Sequence, residues 1–128
     1  MNKTKVLMID DEEDMCLSVK ANLESFGGYE VLMAHNGEQG FQAARAQRPD
    51  VILLDILMPG MNGLEVLRQL KQDSATLSIP VLMLTAVDEE QSMREAAGLY
   101  DDAYLVKPIQ IETLKSKIER VLSSTGRK

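Results

Sequence analysis

Five short apolar runs alternate with five stretches of helical periodicity, and this alternation constrains the fold more than any other feature of the chain. The runs are Lys5–Ile9, Tyr29–Ala34, Val51–Leu54, Val81–Leu84 and Tyr104–Val106. Between the first two, Cys16, Val19, Leu23 and Phe26 recur at helical spacing until Gly27-Gly28 stops the helix. Asn36-Gly37 then turns the chain into a helix over 38–47, and Pro59, Gly60 and Gly63 precede a helix carrying Leu64, Leu67 and Leu70. A weaker, alanine-rich pattern predicts a helix over 89–97, and Ile111, Leu114, Ile118, Val121 and Leu122 form the stripe of the last one. The first, third and fourth runs are nearly all apolar, as strands buried on both faces are. Strands alternating with helices predict a parallel sheet, right-handed crossovers and helices on each side. The expected fold is α/β: a single doubly wound (βα)5 domain.

Composition narrows the function. A chain of 128 residues suits one domain and buries about two thirds of its surface on folding. Twenty acids against fourteen Lys and Arg give a net charge of −6, which argues against direct nucleic-acid binding. No apolar run approaches a membrane span, and the N-terminal four-residue stretch Val6–Ile9 is too short for a signal peptide. The expectation is a cytoplasmic protein without a membrane partner. The lone cysteine, Cys16, excludes an internal disulfide and sits at a core helical position.

In doubly wound sheets ligands bind beyond the carboxyl ends of the strands. Asp10 and Asp11 follow the first strand, Asp55 the third, Thr85 the fourth and Lys107 the fifth. The second offers only Ala34-His35-Asn36, so His35 is expected in loop packing away from the pocket. Each group alone has an ordinary reading. The acids suit a helix start, Asp55 a cap, Thr85 a β-former, and Lys107-Pro108 a first helical turn. Their joint placement at one sheet edge is the specific signal. Clustered carboxylates repel one another, and a hard divalent cation such as Mg²⁺ relieves this. A hydroxyl and an ammonium suit phosphoryl oxygens, and a carboxylate can itself accept a phosphoryl group.

Read together, Val6–Glu12, Val51–Pro59, Gly63, Val81–Ala86 and Tyr104–Pro108 resemble a response-regulator receiver domain of two-component signalling, of the chemotaxis-receiver kind. The resemblance covers essentially the whole chain. It implies strand order 2-1-3-4-5, in which the first, third, fourth and fifth strands are neighbours and their terminal groups converge. It implies Asp55 as phosphoacceptor. It also implies Mg²⁺ (or Mn²⁺) held by Asp11 directly, Asp10 largely through water, Asp55, and the backbone carbonyl of Leu57. Lys107 would contact the phosphoryl group and Asp55, Thr85 would move to bond the phosphoryl group, and Tyr104 would turn inward behind it. The Lys107–Pro108 bond would be cis. The donor would be a histidine kinase or a histidine phosphotransfer protein. The output would be a protein contact on the face of the fourth helix, fifth strand and fifth helix, with a phosphorylation-dependent homodimer through the last helix as a further option.

Residues 1–123 are read as the receiver and 124–128 as a flexible tail or the start of a linker, so a stand-alone relay and a piece of a longer regulator both stay open. The chain departs from the common pattern at Gly98–Tyr104, where the loop before the fifth strand is reworked by about two residues. Leu57 and Val87 are apolar where similar proteins often use side chains that guide water, which implies a long-lived phospho-state. The competing class is a Mg²⁺-dependent aspartyl-phosphate hydrolase. Such enzymes usually carry a second Asp two residues after the nucleophile, where this chain has Leu57, so the chain is read as a phosphoacceptor rather than an enzyme acting on external substrates. A flavodoxin-like binder would need a phosphate loop where Asp10–Asp14 stand.

Overall fold

A computed structural model describes residues 3–56, 58, 62–85 and 103–124. The strands are β1 (Thr4–Ile9), β2 (Tyr29–Ala34), β3 (Val51–Asp55), β4 (Val81–Thr85) and β5 (Ala103–Val106). The described helices are α1 (Glu13–Ser25), α2 (Gly37–Gln47), α3 (Gly63–Gln72) and α4 (Ile111–Ser124). All strand pairs are parallel, in the order β2-β1-β3-β4-β5. This is the expected doubly wound order. The helix expected over 89–97, the reworked loop 98–102 and Val87 lie outside the described residues.

Alternate residues of the central strands face opposite sides of the sheet, which makes two cores. Val6 and Met8 of β1, Leu53 of β3 and Leu82 and Leu84 of β4 pack with Cys16, Val19 and Leu23 of α1 and Leu114, Ile118 and Leu122 of α4. Leu7, Ile9, Ile52, Leu54, Val81 and Met83 turn the other way and pack with Ala44 of α2 and Val66, Leu67 and Leu70 of α3. This double burial is why the β1, β3 and β4 segments lack polar alternation. β2 is an edge strand, with Glu30 exposed, and its mixed pattern follows from that position. Gly40 lets α2 approach β1 closely, because a Cβ there would lie 2.5 Å from Ile9 Cδ1.

One core position differs from expectation. Phe26 continues the apolar spacing of α1 but is 44% exposed. It caps the helix C-terminus, where Gly27 and Gly28 take φ of +80° and +86° and turn the chain away. Its ring is covered by the Lys115 ammonium at 5.4 Å rather than by the core.

Candidate functional site at the carboxyl edge

Sheet register carries the site residues to one edge. β1 ends at Ile9 beside Leu54 of β3, so Asp10 emerges next to Asp55. Asp55 pairs with Leu84, one residue before Thr85, and Thr85 pairs with Val106, one residue before Lys107. The Lys107 N–H donates to the Thr85 carbonyl at 2.7 Å, which extends the β4–β5 pairing by one residue. Lys107–Pro108 is a cis peptide bond. At the start of α3, Asn62 accepts the Leu64 N–H, and the Gly63 N–H donates to the Ile56 carbonyl at 2.7 Å, which ties the helix to the residue after Asp55.

Ligand oxygens of Asp10, Asp11 and Asp55 lie within 4.8 Å of one another. Asp10 and Asp55 are buried and Asp11 is exposed. The Lys107 ammonium stands 3.3 Å from Asp55 Oδ1, 3.2 Å from Asp10 Oδ2 and 3.1 Å from Glu12 Oε1. Asp10 Oδ1 accepts the Glu12 N–H at 3.0 Å. Its other oxygen, Oδ2, is buried and has the Lys107 charge nearby but no donor aligned on it among the described residues. Thr85 is fully buried, and Tyr104 is half-buried against the core that contains Met83. Leu57 lies outside the described residues, so nothing is said of its carbonyl.

Electrostatics follow from this crowding. Burial pushes the Asp10 carboxyl above its usual range, and the Glu12 N–H and the Lys107 ammonium only partly oppose it. Burial pulls the Lys107 ammonium down, yet Asp10, Asp55 and Glu12 together outweigh that and hold it above its usual value. Lys107 therefore stays charged. Burial, and then the nearby Asp10 carboxylate, push the Cys16 thiol up to about 12.

Among the described residues, three carboxylates (Asp10, Glu12 and Asp55) thus share the Lys107 ammonium, and Asp11 adds a fourth negative charge beside Asp10 and Asp55. The cluster offers oxygen donors only, an excess of negative charge and a buried carboxylate oxygen without an aligned donor. That donor set fits a hard divalent cation that keeps several of its waters, Mg²⁺ above all.

Asp10, Asp11, Asp55 and Lys107 are brought together as the sequence predicted, with Thr85 one strand away. Two participants were not anticipated. Glu12 binds Lys107, although its acidic run reads as a helix start. His35 was expected away from the pocket, but its Nδ1 lies 3.2 Å from the Asp10 carbonyl oxygen. The β1–β2 pairing of Ile9 with Ala34 puts the two following residues side by side, a register that the sequence alone does not give.

Comparison with known proteins is consistent with this geometry. A family model described as the response regulator receiver domain matches residues 6–119. The chain is 40% identical over 121 residues to protein PilH of Pseudomonas aeruginosa, covering 93% of this chain and 98% of that protein. It is 38% identical over 122 residues to the alkaline phosphatase synthesis transcriptional regulatory protein PhoP of Bacillus subtilis, where it covers 95% of this chain but spans only about half (49%) of the relative. Among solved structures, the chemotaxis response regulator CheY4 of Vibrio cholerae superposes with a TM-score of 0.84 at 32% identity, over 94% of this chain and all of that one (100%). With the fold, the acidic cluster and these matches in hand, the chain belongs to the response regulator receiver domains of two-component systems.

Proposed function

We propose that Asp55 accepts a phosphoryl group from a phosphohistidine on a histidine kinase or a histidine phosphotransfer protein. The observation that carries this is the pairing of the buried Asp55 carboxylate with the Lys107 ammonium inside the acidic cluster. An Asp55 carboxylate oxygen attacks phosphorus as the P–N bond breaks. The electron pair leaves with the imidazole, and a mixed carboxylic–phosphoric anhydride forms on Asp55. Lys107 offsets charge on the phosphoryl oxygens and on the attacking carboxylate. The Thr85 hydroxyl, at the next strand end, donates to a phosphoryl oxygen, and Tyr104 follows it inward.

Asp10, Asp11 and Asp55 would hold Mg²⁺ (or Mn²⁺), with the Leu57 carbonyl as a further ligand. An ion held there would lower the repulsion between an incoming phosphate and the carboxylates. The resulting change in local charge would reset the face built from β5, α4 and the segment before β5 for a protein partner. Against the hydrolase alternative, Leu57 stands where a second acid would be needed.

Acyl phosphates are cleaved by hydroxylamine, whereas phosphoserine and phosphothreonine esters are not. Incubation with acetyl phosphate and Mg²⁺ is expected to give a hydroxylamine-labile phosphoprotein that Asp55→Asn does not form. A hydroxylamine-stable label, or one that persists in Asp55→Asn, would contradict the assignment.

A further inference from the structure

The Asp10 carbonyl oxygen lies just past the last paired residue of β1, where the chain leaves the sheet for the acidic turn. Two side chains from different elements converge on it. His35 Nδ1, from the end of β2, stands at 3.2 Å, and Cys16 Sγ, from α1, at 3.5 Å. A carbonyl oxygen only accepts, so Nδ1 carries the proton and the neutral ring is the Nδ1–H tautomer. The backbone that carries the ring is anchored at the start of α2. The His35 N–H donates to Gln39 Oε1 at 3.2 Å, and the Gln39 N–H donates to the Asn36 side chain at 2.8 Å. This is a capping box shifted by one residue at the start of α2. On the strand side, the Asp10 N–H donates to the Ala34 carbonyl at 3.0 Å. Both faces of the Asp10 backbone are therefore held by the β2–α2 junction.

We infer that His35 is a positioning residue for the cation site: by donating to the Asp10 carbonyl it sets the plane of the Asp10–Asp11 peptide, and so the direction in which the Asp11 carboxylate projects. Asp11 is exposed, so packing does not hold its side chain, and its placement beside Asp10 and Asp55 depends on the backbone that carries it. Partners that orient ligands from outside the first coordination sphere commonly change metal affinity by about 10- to 100-fold when removed. The inference rests on the cation-site reading above and adds a residue to it.

The test compares wild type, His35→Leu, His35→Ala and His35→Asn. Leucine and alanine remove the donor, with and without added apolar bulk. Asparagine can place an N–H₂ on the same γ-carbon position as Nδ1. Calorimetric titration with MgCl₂ is expected to show binding weakened about tenfold in His35→Leu and His35→Ala, and largely restored in His35→Asn. In metal-free protein, the Asp11 amide resonance is expected to shift in the first two variants and stay near its wild-type position in the third. A general loss of packing would not be rescued by asparagine, and melting temperatures recorded alongside separate that case. Equal Mg²⁺ affinity in wild type and the donor-less variants, or no recovery with asparagine, would overturn the inference while leaving the cation site standing. A wild-type protein that binds no Mg²⁺ would overturn both.

Discussion

Gly63 packs directly against the backbone that carries Asp55. A Cβ at this position would lie 2.6 Å from Ile56 Cα and closer still to the Asp55 carbonyl oxygen. Both obstacles are main chain, so no side chain can swing away. Gly63→Ala must displace either α3 or the end of β3. The expected cost is about 1–3 kcal/mol in urea unfolding, as for other overpacked sites. Phosphorylation by acetyl phosphate should slow as well, because the displaced residue adjoins the acceptor. A variant with unchanged stability and rate would show that the close approach is not needed.

Asp10 is a carboxylate that the fold buries at a cost. Its folded pKa is raised above the ordinary 3.8, so the folded chain holds that proton more tightly than the unfolded chain does. Its contribution to stability is complete below the ordinary carboxyl range and is lost as pH rises through the folded value. At neutral pH without Mg²⁺ the ionised group is therefore a net penalty. Asp10→Asn should stabilise the metal-free protein at pH 7 by on the order of 1 kcal/mol, or roughly 3–5 °C in Tm. The advantage over wild type should grow as pH rises from about 4 toward neutral. Mg²⁺ should narrow the gap by stabilising only the wild type. Thermal melts across pH check this, and a variant less stable than wild type at pH 7 would contradict it.

Cys16 should be inert in the folded protein. It is fully buried, and its thiol is pushed up to about 12. At pH 8 that leaves about one thiolate in 10⁴. Iodoacetamide should leave the native chain unmodified over hours and alkylate it in denaturant. Rapid labelling of the native state would mean that α1 opens far more readily than its packing suggests.

Much of this architecture was legible because side-chain facing is a local property. A residue in a doubly covered strand is apolar whichever way it points, so β1, β3 and β4 could be read from their runs, and Asp10, Asp55, Thr85 and Lys107 marked where those runs stop. Relationships set by the path of the chain between elements were not legible. The Glu12–Lys107 pair joins residues far apart in sequence, and nothing in an acidic helix start says which ammonium it meets. The His35–Asp10 contact depends on the exact register of an edge strand against β1. Phe26 kept the helical spacing but fell beyond the last turn of α1, where the two glycines redirect the chain.

On the proposed reading, the apolar Leu57 and Val87 are expected to lengthen the life of the phosphorylated state. Neither side chain can hydrogen-bond an attacking water, so hydrolysis of the acyl phosphate should be slow. Replacing both with polar residues, Leu57→Asn and Val87→Gln, should speed phosphate loss by about 10-fold, less than the roughly 10²-fold or more of a positioned acid–base group, because an amide orients water without taking its proton. Following loss of the phosphoryl group after the donor is removed checks this. No acceleration would mean that other features set the lifetime.

The proposed function rests on phosphorylation of Asp55 within a cation-dependent carboxylate cluster. Intact mass after incubation with acetyl phosphate, with Mg²⁺ and with chelator, in wild type and Asp55→Asn, tests it most directly. A single phosphoryl adduct is expected on the wild type with Mg²⁺, little with chelator and none on Asp55→Asn. A folded wild-type protein that binds Mg²⁺ yet gains no adduct, or an adduct that Asp55→Asn retains, would contradict it.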